Sequence, residues 1–342
     1  MTILDQSGLA DVSKSAEFPD AQTIRTALTL ATRAPSIHNS QPWRWMVGER
    51  SLHLYADPTH HLIHADPDRR ELMVSCGLVL NHAVIALSAL GWRARVSRFP
   101  NPAEPSHLAS VLLSSSPADH HDVALAAAIP RRRTDRRHFS PWPVPRGDVA
   151  TIGARTARMG IQLRCVEMSR DISGIVAEAV SRHDHDSGYR AELSAWSGRR
   201  AATTGVPARN IPAPATASLL GRRFAAGVMN SPGDAAAGED HAALLALGSA
   251  ADDDLARLRA GEATSMALLT ATSFGLATCP VSEPLEIGET RDAIMAEVFD
   301  NREYPQMMFR IGWAPVGADP LPSTPRRPID EVVTDLDGTP LQ

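Results

Sequence analysis

Two short stretches carry residue types that could do chemistry. In Ala34-Pro-Ser-Ile-His-Asn-Ser-Gln-Pro-Trp43, the hydroxyl of Ser36 and the carboxamides of Asn39 and Gln41 come together just before a strand-like run. Each carboxamide offers two donors and an acceptor, so the group can read the alternating edge of a heteroaromatic ring. The same side chains would equally cap the backbone of a loop that ends a helix. In Arg131-Arg-Arg-Thr-Asp-Arg-Arg137, five arginines and the hydroxyl of Thr134 crowd into seven residues of a chain whose net charge is -5. Guanidinium groups bind phosphate oxygens two at a time, so a terminal phosphate is the natural ligand, with a solvated basic loop as the alternative. A nucleic-acid face would need a broader basic surface with aromatic partners, and His138-Phe139-Ser-Pro-Trp142 is thin support for one.

Several elements must position these groups. Asp20 can cap a helix whose apolar residues Ile24, Ala27, Leu28 and Ala31 repeat with helical period, and Pro35 ends it. Residues 43–47 and 52–55 are strand-like across a turn at 48–50. A long helix from Asp68 carries Leu72, Met73, Cys76, Val79, Leu80, Ala83 and Leu87 inward and closes at Gly91. So apolar a helix belongs at the centre of the protein. Strands at 93–99 and 108–113 and a helix at 122–129 complete a first lobe. Beyond the arginines the pattern predicts helices near 147–158, 170–182, 261–275 and 291–298, with strands at 161–166 and 305–313. Residues 183–240 are rich in Gly, Ala, Pro, Arg and Ser without clear period, which reads as a lid, a binding loop or disorder.

Composition bounds the function. With 342 residues, 43% hydrophobic and 21% charged, the chain is an ordinary globular protein of two lobes. Its mild acidity leaves no global field for nucleic acid or an anionic membrane. Cys76, Cys165 and Cys279 are isolated, which fits a reducing cytoplasm. The polar N-terminal arm has no apolar core of a signal peptide. The most apolar stretch, 78–92, is broken by Asn81 and His82 and is shorter than a membrane span. No metal site is expected: His183-Asp-His-Asp186 reads as solvated surface, and His60, His61 and His64 lie in a loop without a zinc pattern. No GxGxxG follows a strand, so no Rossmann site is present. Cys279 has no histidine in its own segment and reads as a buried structural cysteine.

The string from Ala34 to Trp43 resembles the APSSxNxQPW signature of the nitroreductase family, whose members bind FMN at a dimer interface. The resemblance implies that Ser36, Asn39 and Gln41 face the flavin ring, in a loop that also contains His38, Pro42 and Trp43. The arginine cluster resembles the family's RRSxR phosphate segment, which implies phosphate roles for Arg132, Thr134 and Arg136. The family's following Phe sits one residue earlier than Phe139, so the choice among Arg131, Arg132 and Arg133 stays open. Arg326-Arg-Pro-Ile-Asp-Glu-Val332 is similar to the family's RKPxxEVV segment, implying that Arg326 completes the phosphate cage. Phe274-Gly-Leu-Ala-Thr-Cys-Pro-Val-Ser282 resembles the family's GLGSCW loop, pointing Val281 and Ser282 at flavin N5.

The ring loop falls only in the first half and the phosphate cluster only in the second. That distribution resembles the mycobacterial Acg family of single-chain nitroreductase relatives. It implies an α+β, nitroreductase-like fold of two tandem nitroreductase-type halves, 20–130 and 131–332, forming a pseudo-dimer with one FMN site and a long lid insertion. A monomer is then expected, because the two halves mimic a dimer. Two functions follow: an NAD(P)H-dependent flavin oxidoreductase acting on nitro or quinone-type acceptors, or an FMN-sequestering protein whose lid covers the flavin. Neither needs a titrating catalytic side chain.

Overall fold

A computed structural model describes residues 18–198, 202–213, 220, 222, 224, 227–229 and 240–341. Helix α1, Ala21–Ala31, begins where the carboxylate of Asp20 accepts the amide of Thr23 at 2.7 Å, and it buries Ile24, Ala27, Leu28 and Ala31. Strands β1, Trp43–Val47, and β2, Ser51–Ala56, form a hairpin with Trp43 opposite Ala56. Helix α2, Arg70–Ala89, is capped from outside, the carboxylate of Asp66 accepting the amides of Glu71 and Leu72 at 2.9 and 2.8 Å. Strands β3, Trp92–Arg98, and β4, His107–Ser115, complete a sheet in the order β3-β4-β2-β1-β9. The last member, β9, is Val333–Asp335, which pairs parallel to β1 from the far end of the chain.

Helices α3, His120–Ala128, and α4, Arg146–Ala157, lead to strand β5, Gln162–Val166. Helix α5, Arg170–His185, is followed at once by α6, Ser187–Ala195. Strand β6, Ala243–Ser249, then precedes helix α7, Asp254–Ser273, strand β7, Ala277–Val281, helices α8, Glu283–Glu286, and α9, Gly288–Phe299, and strand β8, Tyr304–Gly312. A short helix α10, Ile329–Val332, precedes β9. The second sheet is antiparallel throughout, in the order β5-β6-β8-β7.

The layers follow from which faces are apolar. Helix α2 packs on the first sheet, α7 packs on the second, and the two helices cross against each other in the centre. One apolar core runs through all four layers, from Trp45 and Leu54 through Leu80 and Leu268 to Phe309. The crossing requires glycine. A Cβ built on Gly77 would lie 2.0 Å from the carbonyl oxygen of Leu258, and one on Gly261 would lie 2.1 Å from that of Val74. Beside the crossing, His82 Nδ1 lies 2.8 Å from Ser265 Oγ, which donates to Asn81 Oδ1 at 3.1 Å, and burial pushes the His82 imidazole down to about 3.

Three features differ from the sequence expectation. Helix α2 spans a full 20 residues with mean hydropathy 1.9, long and apolar enough to cross a membrane by length and composition, but protein surrounds most of it. Residues 187–195 are helical, started by Asp186 accepting the amides of Gly188 and Tyr189. His183 is buried instead of solvated, stacked on Tyr189 at 3.8 Å and within 3.3 Å of the Glu283 carboxylate. Among the described residues no His, Cys, Asp and Glu gather into a group that could hold a metal.

Candidate functional site

The loop after α1 is held in an unusual conformation. His38, Asn39 and Gln41 all have positive φ, at 44°, 56° and 56°, a region that side-chain-bearing residues enter at a cost of order 1–3 kcal/mol each. The surroundings enforce it: Ser36 Oγ accepts the amide of Gln41 at 2.9 Å, and Ser75 on α2 accepts that of Ile37 at 3.2 Å. The carboxamides point away from solvent and are spent on other backbone. Asn39 Nδ2 donates to the carbonyls of Gly205 and Pro325, both at 3.1 Å. Gln41 Nε2 donates to Thr203 at 2.9 Å, and its Oε1 accepts the amide of Arg327 at 2.9 Å.

The arginine cluster is an extended segment laid beside β7, where Thr134 bridges Thr278 and the amide of Asp135 reaches the Thr278 carbonyl at 2.8 Å. An extended chain alternates its faces. Thr134 and Arg136 therefore line one cleft, with Arg132 donating to Thr134 Oγ1 at 3.4 Å, while Arg131, Arg133, Asp135 and Arg137 line a separate groove. On that outer side Asp135 holds Arg137 through both oxygens, at 2.9 and 2.7 Å. On the inner side no carboxylate is among the groups that act most on Arg132. Burial, and then the charges of Arg133, Arg33 and Arg136, push the Arg132 guanidinium down to about 9. Arg326 is likewise pushed down to about 9 by burial and then by Arg132, Arg33 and Arg133. Its own donors are taken by carbonyls, among them Thr32, Arg33 and Ala34 at the end of α1, at 2.9, 2.8 and 3.1 Å.

The two stretches meet at one cleft of about 730 Å³, open mouth included. Its wall takes Ser36 and His38 from the first loop, Thr134 and Arg136 from the arginine segment, and Val281 and Ser282 from the end of β7. Six of the residues singled out from sequence are thus on one surface. Asn39 and Gln41 brace the loop from behind it. Pro42 accepts the Cys76 thiol at 3.2 Å through its carbonyl, and Trp43 is fully buried in β1. His38 is only 6% exposed, neither of its ring nitrogens has a hydrogen-bond partner, and burial, then Arg222 and Arg136, hold it well below its usual range.

Four participants were not singled out from sequence. Arg33 adds its charge to the inner cluster. It stands two residues ahead of Pro35, in the last residues before the loop, where a basic residue reads as an ordinary helix end. Leu220, Arg222 and Phe224 come from the stretch that composition marks as aperiodic, and all three line the cleft. Arg222 is ion-paired to Glu286 and bonded to Tyr189 and to Ser282 Oγ, the last at 3.2 Å. The Phe224 ring carries the Arg136 guanidinium at 4.9 Å and meets His38 edge-on at 5.6 Å. Cys279 also lines the cleft, and burial raises its thiol.

No protein-family model matches the chain. It is 55% identical over 327 residues, 95% of each chain, to the Mycobacterium tuberculosis protein named "Putative NAD(P)H nitroreductase Rv3131". It is 37% identical to "Putative NAD(P)H nitroreductase acg" of the same organism, covering 90% of this chain and 94% of that one. Among solved structures, a nitroreductase-type protein of Anabaena variabilis superposes with a TM-score of 0.50 at 10% identity, over 87% of this chain and 90% of that one, a likeness of fold. The extent and identity of the mycobacterial matches decide the family: the chain belongs to the nitroreductases, alongside Acg and its relatives.

Proposed function

We propose that the cleft binds FMN and that the protein is an NAD(P)H-dependent flavin oxidoreductase acting on nitro or quinone-type acceptors. The observation that carries this reading is the polarity of the cleft. Arg136 lines the cleft, and behind Thr134 the mutually close Arg132, Arg33 and Arg326 have no carboxylate among the charges that act most on Arg132 and Arg326, with Arg33 Nε and Arg132 Nε left without partners. Buried cations in that state favour a dianionic phosphate. Ser36, His38, Val281 and Ser282 stand on the same wall and would face a ring bound there.

FMN supplies two-electron chemistry at its ring, which no side chain here provides. The chain's own part is to bind and orient. Arg132, Thr134 and Arg136 suit the phosphate, while Arg326, saturated by carbonyls, contributes charge to that end. The charge of Arg222 is committed to Glu286 and leaves Ser282 fixed at the ring end. Asn39 and Gln41 keep the strained loop in place. Because each chain supplies each part once, we infer a single site per chain and a monomer built from two halves, 20–130 and 131–332.

Mixing FMN-loaded protein anaerobically with NADPH or NADH tests the reading: flavin bleaching is expected, and a flavin that stays oxidised overturns the reductase assignment. One observation favours a second reading, in which the flavin is sequestered. Phe224 lies between His38 and Arg136 on the cleft wall, where it would cover a ring bound in the cleft. If bleaching is absent in the intact chain but appears in Phe224→Ala, the segment containing Phe224 acts as a lid and sequestration replaces turnover.

A further inference from the structure

We propose that the groove on the outer side of the arginine segment is a second ligand site, which takes an amphipathic organic anion, and that its occupant weakens flavin binding in the cleft behind it. The groove stands apart from the flavin reading, and only the coupling rests on that reading. It encloses about 990 Å³, open mouth included, between the arginine segment, the turn from α7 into β7 and the stretch after β8. Along both extended strands neighbouring residues fall on opposite sides. Thr134, Arg136 and Cys279 line the cleft, whereas Arg133, Asp135, Arg137 and Thr278 line the groove. One layer of backbone, joined where the amide of Asp135 donates to the Thr278 carbonyl at 2.8 Å, therefore parts the two sites.

Charge and lining narrow the ligand. Asp135 is committed to Arg137. Arg131 and Arg133 have no carboxylate partner among the described residues, in a chain whose net charge is -5. Among those residues Arg131 donates only through Nε, to the Ala127 carbonyl at 3.1 Å. Arg133 gives Nε to the Leu321 carbonyl at 3.1 Å and Nη1 to those of Pro130 and Arg132 at 2.7 and 2.8 Å. Both terminal nitrogens of Arg131 and Nη2 of Arg133 are left to solvent or a ligand, and guanidinium groups favour an oxyanion. Leu276, Ala277, Ala314, Pro320 and Leu321 add apolar surface beside them, which only a ligand with an apolar body would remove from water. Arg133 also reaches the other site through its field. Burial and then neighbouring charges, that of Arg133 among them, push the Arg132 and Arg326 guanidiniums down. An oxyanion on Arg133 opposes its charge and lowers the positive potential that a phosphate meets on the inner side. By linkage the flavin loosens the groove ligand by the same factor.

Octanoate and octyl phosphate serve as probes, with octanol lacking the charge and acetate lacking the body. In FMN-loaded wild-type protein, calorimetry is expected to show one octanoate or octyl phosphate bound per chain, with octanol and acetate each at least about tenfold weaker. Binding of neither probe, or octanol or acetate binding as tightly as octanoate, overturns the site without any variant. Arg131→Gln is expected to weaken octanoate about tenfold, and Ala314→Trp, which fills the groove from an exposed position, to abolish its binding. Octanoate binding unchanged in both variants places the ligand elsewhere and overturns the assignment. An octanoate Kd that rises with protein concentration makes a second copy of the chain the occupant and overturns it too. Saturating octanoate is expected to raise the FMN Kd about two- to tenfold in wild-type protein and to leave it unchanged in Ala314→Trp. An FMN Kd that stays constant while octanoate is bound overturns the coupling. Wild-type protein that fails to retain FMN overturns the flavin reading instead, and the octanoate, octanol and acetate titrations of flavin-free protein then decide the groove.

Discussion

Arg132 and Glu71 are both ionisable groups held in protein interior, and they make opposite demands. The groups that act most on Arg132 are like charges and a thiol, so the folded chain gains when an anion arrives. Replacing Arg136 by Ala removes a charge-assisted contact from the same side, worth about 1.5–3 kcal/mol. FMN retention should weaken by roughly ten- to a hundredfold, measured by fluorescence on dilution, and unchanged occupancy would remove Arg136 from the phosphate end. Glu71 is a carboxyl with one oxygen unpartnered, raised by burial to about 8 from 4.5, while Asp66 beside it is raised, again chiefly by burial, to about 7 from 3.8. The folded state thus holds these protons more tightly than the unfolded chain does. Their stabilising effect is full below about pH 4 and is lost as pH rises through 7 and 8. Urea midpoints between pH 4.5 and 8.5 should show that decline, and Glu71→Gln should flatten its upper part. A wild-type profile that rises over this window would contradict the assignment.

Among the elements, the crossing of α2 and α7 bears the closest tolerance. A methyl group at Gly77 or Gly261 meets backbone and not a movable side chain. Gly77→Ala should therefore destabilise by at least the 1–3 kcal/mol typical of overpacking, read from denaturant midpoints, and a variant of wild-type stability would mean that the helices separate freely. Helix α2 was legible because its apolar residues repeat with helical period and a glycine closes it. Strand β6 was not: Ala-Leu-Leu-Ala-Leu-Gly-Ser is buried on both faces, so it shows no alternation, and it follows a stretch without pattern. Helix α6 buries little beyond Tyr189 and Leu193, too few for a visible stripe, though Asp186 ahead of it was a usable cap signal. The cleft was legible where backbone and side-chain chemistry coincide, at Ser36, Thr134 and Val281. Arg222 was hidden because its meaning depends on Glu286 and Tyr189, distant partners that composition does not reveal.

For the whole molecule, the continuous core through both sheets, and a cleft drawing on the first loop, the arginine segment and β7, argue for one site per chain. Reconstituted protein should carry one FMN per polypeptide and sediment as a monomer, whereas a dimer needed for flavin retention would overturn that count. The strand β9 gives this arrangement a timetable. Its partner β1 is made long before it, so the pairing of Trp45 with Val333, the clasp of Arg326 on the end of α1 and the hold of Arg327 on Gln41 all wait until the residues from 326 onward have been made. Until then the strained loop after α1 lacks the clamp that fixes it, and proteolytic loss of residues 326–335 would unfasten the loop while leaving the central helix pair intact.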